Sequence, residues 1–475
     1  MRLGDLAGID SDAGVTGFAI DHRKVTKGNI FGAFRGEKFD GEQFIAGAIK
    51  HGAVAVVARA EALVEGAVHI ADAEPRRRFA QLAGKFYGPY PEVIVAVTGT
   101  NGKTSTVEMA RQMWRMAGHR SASIGTLGVT TADEQVKTGL TTPDIVTFLS
   151  NMAGLKRMGI GHVAYEASSH GLDQYRSEGL PVVAAAFTNF SRDHLDYHAD
   201  MDSYFAAKMR LFDEVVANGG TAVVWTGDAR SGAVIDHAKA RGLKLITVGP
   251  GAEMIALVEQ VPTALGQRLV LRHAGKEHKL TLPLIGAYQA NNVLTAAGLL
   301  LATGSSWDET LGAMSRVSPV RGRLERAVIS RAGAPVYVDY AHTADALEAA
   351  IAALRPHVAS SAEGKLITVF GAGGDRDKGK RGPMGEVAAR LSDVAIVTDD
   401  NPRGEDPAAI RAEVMAGAVG AREIGDRRAA IAEAIKMAGA GDIVLVAGKG
   451  HETGQIVGEL VLPFDDALVA RECAA

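Results

Sequence analysis

The chain has 475 residues, 47% hydrophobic and 22% charged, enough for about three domains of ordinary globular composition. Its 51 basic and 55 acidic residues leave a net charge of −4, which excludes the basic excess of a general nucleic-acid or membrane-surface binder. A single cysteine, Cys473, excludes a disulfide framework and a cysteine-based metal site, and no apolar run approaches the roughly 20 residues that span a bilayer. The N-terminus carries early acids and no apolar signal-peptide core, so a cytoplasmic protein without nucleic-acid or membrane partners is expected.

In chain order the first block, 1–88, holds a short strand candidate at 52–58 and helices at 43–50 and 76–86. "YGPYPE" (87–92) is rich in Pro and Gly and reads as a linker. The second block, 89–317, opens with the β-branched run Val93–Thr98, then a glycine-rich turn, then Val107, Ala110, Met113 and Trp114 at helical spacing. Strand candidates at 162–166, 182–187 and 221–225 alternate with helical segments and predict parallel βαβ units. Alternation between 250 and 285 predicts a small antiparallel excursion. The third block, 318–475, places strands at 335–340, 365–370, 393–398 and 442–447, with helices at 344–354, 384–392, 407–418 and 427–438. The predicted fold class is α/β with three domains: a small N-terminal α/β domain, a central P-loop parallel-sheet domain and a C-terminal Rossmann-like domain.

Ligands of such sheets bind beyond the carboxyl ends of the strands, and the distinctive residues cluster there. "GTNGKTS", Gly99, Thr100, Asn101, Gly102, Lys103, Thr104 and Ser105, joins a strand to a helix. Its backbone N–H groups form an anion site, with Lys103 for outer phosphates and Thr104 for Mg²⁺. It is a shorter G-x-x-G-K-T form, because Val97 stands where the longer loop has its first glycine. His194 lies between Asp193 and Asp196, with a structural role and a metal or phosphate role both open. Lys208 sits among apolar residues, either as a snorkelling lysine or as a modified lysine that ligates metal. "GAGGDRDKGKR" (371–381), "DDNPR" (399–403) and "GKGHE" (448–452) are three polar loops at one predicted sheet edge. By residue type DDNPR is a turn. Together, though, Arg376, Asn401, Arg403 and Glu452 supply both the cations and the carboxylate that an amino acid requires.

These motifs, with "TTPD" (141–144), "EASSHGLDQYR" (166–176), "TNFSRDHLDYH" (188–198), "YFAAKMRLF" (204–212), "GAYQANNVLTAA" (286–297), "GRLE" (322–325) and "VDYAHTADALE" (338–348), resemble the Mur ligase family over essentially the whole chain. Within that family the resemblance is to the members that add meso-diaminopimelate to UDP-N-acetylmuramoyl-L-alanyl-D-glutamate, in peptidoglycan synthesis. The resemblance implies ATP as co-substrate, Mg²⁺ as cofactor, an acyl-phosphate intermediate, domain closure and a monomer acting on small molecules. It implies ATP contacts from Gly99 to Ser105 and from Asn292, Arg323 and Asp339. Catalytic and metal positions would be Lys103, Thr104, Glu166, His194 and Lys208, the last as a carbamate. The muramoyl-peptide would meet Ile20, His22, Thr141, Thr142, Ser168, Gln174 and Arg176. Diaminopimelate would meet Arg376, Asp400, Asn401, Pro402, Arg403, Gly448 and Glu452. Departures from the family pattern are His22, Leu140, Gln289, Ala344 and Gly454. A lysine-adding or folylpolyglutamate-type ligase is the alternative, and a non-enzymatic ATP-binding protein is disfavoured by the intact Lys103, His194 and Lys208.

Overall fold

The computed structural model describes residues 1–36, 40–195, 197–263, 265–358 and 364–475; Asp196, named above beside His194, lies outside them. The chain forms two compact units, Met1–Ala256 with Asn292–Thr310, and Leu257–Asn291 with Leu311–Ala475. Among the described residues no helix is long and apolar enough to cross a membrane.

The first unit begins with an all-parallel sheet of β1 (Gly17–Ala19), β2 (Asn29–Gly32), β3 (Ala55–Ala58) and β4 (Val68–Ala71), in that order. Helix α1 (Pro75–Tyr87) has proline in its first turn, where the missing N–H costs nothing. It buries Phe79 edge-on against Phe18 and Phe34. One face of this sheet keeps a small core of its own, with Phe31, Ile45 and Val56, and the other face joins a larger one. Leu3, Phe18 and Leu82 belong to the same buried cluster as Ile94, Phe148 and Phe187.

The central sheet is built on β5 (Val93–Thr98), which is followed by α2 (Lys103–Met116). Further along come β6 (Ser121–Gly125), β7 (Gly128–Thr130), β8 (Gln135–Val136), α3 (Ile145–Arg157), β9 (His162–Glu166), β10 (Val182–Phe187), α4 (Met201–Arg210), β11 (Val216–Trp225) and β12 (Lys244–Gly249). Their order is β12-β11-β10-β5-β9-β6-β7-β8. All neighbours from β12 to β6 are parallel, and β7 and β8 add an antiparallel edge that the βαβ pattern did not predict. β5 is buried on both faces, which is why it reads as a continuous apolar run without alternation. Register pairs Thr98 with Phe187 and Val97 with Glu166, so three strands end at one edge.

β13 (Ile255–Thr263) leads into the second unit, where β14 (Gly266–His273) and β15 (Lys276–Leu282) form the antiparallel excursion. The second sheet has the order β16-β17-β21-β18-β19-β20. Its strands are β16 (Glu325–Ile329), β17 (Pro335–Asp339), β18 (Leu366–Phe370), β19 (Val394–Val397), β20 (Arg422–Glu423) and β21 (Ile443–Ala447), and only β16 runs antiparallel to its neighbour. Leu366 and Phe370 face one apolar layer, and Ile367 and Val369 face the other. Helices α5 (Ala344–Leu354), α6 (Arg381–Leu391) and α7 (Arg427–Met437) cover these faces. A hairpin, β22 (Gly454–Val457) and β23 (Leu460–Pro463), and a last helix, α8 (Asp466–Ala474), follow β21. The hairpin strands are only four residues each and escape a periodicity reading.

Candidate active site

At the carboxyl edge of β5, GTNGKTS forms the predicted strand–turn–helix. Gly102 caps α2 with φ 83°, and a Cβ there would come within 2.3 Å of Asn292 Oδ1. Only glycine suits both the left-handed backbone and that approach. The loop is clamped by the end of β10: Thr100 N donates to Asn189 O at 2.9 Å and Asn101 N to Asn189 Oδ1 at 2.8 Å. Thr188 Oγ1 donates to Asn101 O at 2.6 Å. Lys103 Nζ donates to Gly99 O at 3.0 Å and to Thr100 O at 2.7 Å, which holds its charge over the loop.

Lys208, on α4, is buried, and its Nζ donates to the same Gly99 carbonyl at 2.7 Å over the Tyr204 ring. Burial first, and then the Lys103 charge, push the Lys208 amine well below its usual range. A side chain that is a poor cation here is a good amine nucleophile. Glu166 closes β9 and is buried, with Oε1 accepting from Thr126 N at 2.7 Å and Oε2 from Thr126 Oγ1 at 3.3 Å. His194 has a left-handed backbone, φ 53°, and its ring packs edge-on against His170 and Tyr204.

Beside Glu166 the fold gathers residues far apart in sequence. Thr142 Oγ1 donates to Glu166 O at 2.8 Å and meets Ser168 Oγ at 3.0 Å. Thr141 and Thr126 hydroxyls lie 3.1 Å apart. Arg176 donates to Thr142 O at 2.9 Å and to Gln174 Oε1 at 2.7 Å, and Gln174 Nε2 donates to Tyr197 OH at 3.2 Å. Ile20 and His22 lie instead just after β1 of the N-terminal sheet, His22 at the start of a 3-10 turn. Ile20 is exposed, and His22 stacks flat on Phe44 at 4.5 Å.

In the second unit, Asp339 ends β17. Its carboxylate accepts from Leu324 N at 2.7 Å and Ala341 N at 2.9 Å, which fixes the turn carrying Arg323, and Arg323 lies over Tyr340. Burial raises the Asp339 carboxyl, against the Arg323 charge.

The three polar loops meet beyond β18, β19 and β21. Gly374 N donates to Asn401 O at 2.9 Å, and a Cβ on Gly374 would lie 1.9 Å from Pro402 O, so the glycine run lets the two loops touch. Arg403 takes a left-handed backbone, φ 51°, and its Nη1 donates to Gly374 O at 2.8 Å. Arg376 and Arg403 both flank Gly373. Lys380 is pushed down by burial and by Arg376 and Arg403, against Asp400 and Asp377, so a cation cluster faces this place. In the adjoining loop, Asn401 Nδ2 donates to Glu452 Oε2 at 2.8 Å. Burial raises the Asp400 carboxyl, against Arg427 and Lys449, while Glu452 falls below the usual range because Lys449 and Asn401 outweigh its burial. A Cβ on Gly448 would meet Asp400 Oδ2 at 2.6 Å. The residues passed over in the sequence are Thr126 and Lys449. Thr126 carried no signal, because its bonds are tertiary; Lys449 stood inside a noted motif without an assigned part.

A phosphate-binding loop at one parallel-sheet edge and a cation–carboxylate cluster at another are the parts of an ATP-dependent ligase that joins an acid to an amine. Three family descriptions match in chain order: "Mur ligase family, catalytic domain" over 14–92, "Mur ligase middle domain" over 97–300 and "Mur ligase, glutamate ligase domain" over 322–450. The chain belongs to the Mur ligase family. It is 59% identical over 467 residues, 98% of this chain and 95% of the other, to the UDP-N-acetylmuramoyl-L-alanyl-D-glutamate–2,6-diaminopimelate ligase of Zymomonas mobilis. A solved structure of a ligase of that name superposes with a TM-score of 0.75 at 31% identity, covering 100% of this chain and 98% of that one. The MurF ligase of Thermotoga maritima, solved in complex with ADP, shares the fold with a TM-score of 0.61 at 18% identity over 92% of this chain and 94% of that one.

Proposed function

We propose that the chain adds meso-diaminopimelate to UDP-N-acetylmuramoyl-L-alanyl-D-glutamate at the expense of ATP, as a cytoplasmic monomer with three functional segments, 1–88, 89–317 and 318–475. The observation that carries the amino-acid assignment is the joint presence, at one sheet edge, of Arg376 and Arg403 about Gly373 and of Asn401 hydrogen-bonded to Glu452. A second carboxylate on the amino acid matches the arginine pair, and an ammonium matches Glu452.

The D-glutamyl carboxylate oxygen attacks the γ-phosphorus of ATP, the bond to the bridging oxygen breaks and ADP leaves. An acyl phosphate remains. The free amine attacks its carbonyl carbon, the C–O bond to phosphate breaks, and the amine proton is lost as the amide forms. The chain's part is positioning and charge: the 99–105 loop N–H groups and Lys103 hold phosphate oxygens, with Asn292, Arg323 and Asp339 as the proposed remaining nucleotide contacts. Thr141, Thr142, Ser168, Gln174 and Arg176 would orient the peptide, and Ile20 and His22 the uridine end.

Mg²⁺ would be held by Thr104, Glu166, His194 and Lys208, and when bound supplies charge neutralisation to the phosphates. The Thr104 hydroxyl and Glu166 carboxylate are oxygen ligands that suit a hard cation, and Lys208 can join them only by supplying oxygen, since an ammonium is a donor and no ligand. Its buried amine suits this: nitrogen attacks carbon dioxide, one N–H proton departs, and a carbamate anion results.

The test is phosphate release with the purified chain and a panel of amino acids. Turnover requires ATP, the UDP-muramoyl dipeptide and meso-diaminopimelate together, and equal turnover with lysine would defeat the amino-acid assignment.

A further inference from the structure

The most deeply buried charge at the amino-acid site belongs to a residue that makes no assigned contact. Lys449 has a fully buried side chain. Its Nζ donates to Asn401 Oδ1 at 2.9 Å and to Glu452 Oε2 at 3.0 Å, and lies 3.8 Å from Asp400 Oδ1. Asn401 Oδ1 accepts a second bond, from Ile456 N on β22, at 2.9 Å. A lysine amine and a backbone N–H are both donors toward that atom, so it is the amide oxygen, and Nδ2 must turn to Glu452. The Asn401 amide therefore has one orientation, chosen by Lys449 and the hairpin. Glu452 has one oxygen tied by two donors, and its carboxylate is held in one direction. Three residues from two loops, DDNPR and GKGHE, thus share one buried cation. Taking a cation out of water is costly unless its partners are well placed, so removing it leaves carboxylates close together without their counter-charge.

We propose that Lys449 is a positioning residue for the incoming amino acid: it fixes the Asn401 amide and the Glu452 carboxylate in the geometry that receives the ammonium and carboxylate groups. The inference rests on the amino-acid site described under the proposed function. It predicts that Lys449 governs affinity for the amino acid and leaves the nucleotide substrates alone.

The experiment uses the full chain carrying Lys449→Met, with Lys449→Gln as a second variant that retains a donor toward Asn401. Circular dichroism and a thermal melt establish that each is folded. KM is then measured for meso-diaminopimelate, ATP and the UDP-muramoyl dipeptide. The expected result is a rise in the diaminopimelate KM of about 30-fold or more in Lys449→Met, the scale for breaking a buried hydrogen-bonded charge pair. Lys449→Gln should show a smaller rise, and the other two KM values should stay within about twofold. A double-mutant cycle with Glu452→Gln should be non-additive, because both residues act through one centre. Parallel rises in all three KM values, or strictly multiplicative effects in the cycle, overturn the proposal. If the wild-type chain ignores diaminopimelate and uses another amino acid, the specificity reading fails, and the same cycle on that amino acid still decides the role of Lys449.

Discussion

Arg403 shows how much the tertiary structure asks of one residue. Its backbone is held in the left-handed region by two bonds to the β22–β23 hairpin: its N–H donates to Ile456 O at 3.0 Å, and its carbonyl accepts from Gly458 N at 2.7 Å. A non-glycine residue with this conformation persists only where the surroundings impose it, a pattern concentrated at functional sites. The side chain is anchored at one corner by Gly374 O, which aims the planar fork. Replacing it with alanine should raise the KM for diaminopimelate by about 100-fold, as a lost charge-assisted pair does. Arg403→Lys should recover little, since a point charge does not reproduce a two-pronged contact. Steady-state kinetics with both variants checks this, and an unchanged KM in either would remove Arg403 from the site.

At the scale of the element, β9 carries a proposed metal ligand at one end and a liability at the other. Glu166 closes it at the ligand edge, while His162 opens it, stacked on His119 at 4.2 Å and edge-on to Trp114. Burial first, then the His119 charge, lower His162 to about 4, with Glu92 opposing. The sign follows from linkage. The folded protein resists protonating this ring, so its contribution is complete above the unfolded value near 6.5 and is lost as pH falls toward 4. The charged groups around it are His119, Glu92 and Lys156, the last two paired with each other. His162→Phe keeps a ring and removes the proton site. The fall in urea midpoint between pH 7 and pH 5 should be smaller in the variant than in the parent, and an equal fall would show that His162 is not the acid-sensitive group.

At the scale of the molecule, the second unit is held by a buried ion pair that no motif announces. Arg427, at the start of α7, donates to both carboxylate oxygens of Asp466, at 2.8 and 2.7 Å, and neither side chain is exposed. Further N–H groups donate to Asp399 O, just beyond β19, and to Ala447 O, at the end of β21. The last helix, α8, and two site loops are thereby tied to one guanidinium. Arg427→Met should cost about 3–5 kcal/mol, because Asp466 is left buried without its counter-charge. Arg427→Met with Asp466→Leu should recover much of that loss, since an apolar pair of similar volume replaces the charges. Chemical denaturation of both variants tests the account, which fails if the double variant is as unstable as the single one.

Much of the architecture was legible because it is set by local rules. Val93–Thr98 reads as a strand because a parallel strand buried on both faces needs a continuous apolar run, and Gly99–Ser105 reads as an anion loop because its glycines bring free N–H groups together at a helix N-terminus. The N-terminal block shows the limit. Its composition and its Pro/Gly linker mark it off, yet only one face of its sheet has a core of its own; the other shares a core with the central sheet, and that division is decided by packing. DDNPR shows the same division more finely. Residue type determined by itself that the chain turns there. Only the tertiary structure decided that Gly374 lies against Pro402, that the hairpin twists Arg403 left-handed, and that a lysine from the next loop selects the face of Asn401. The physical reason is that turn chemistry acts over four residues, whereas the orientation of a buried amide depends on donors that arrive from 48 and 55 positions away.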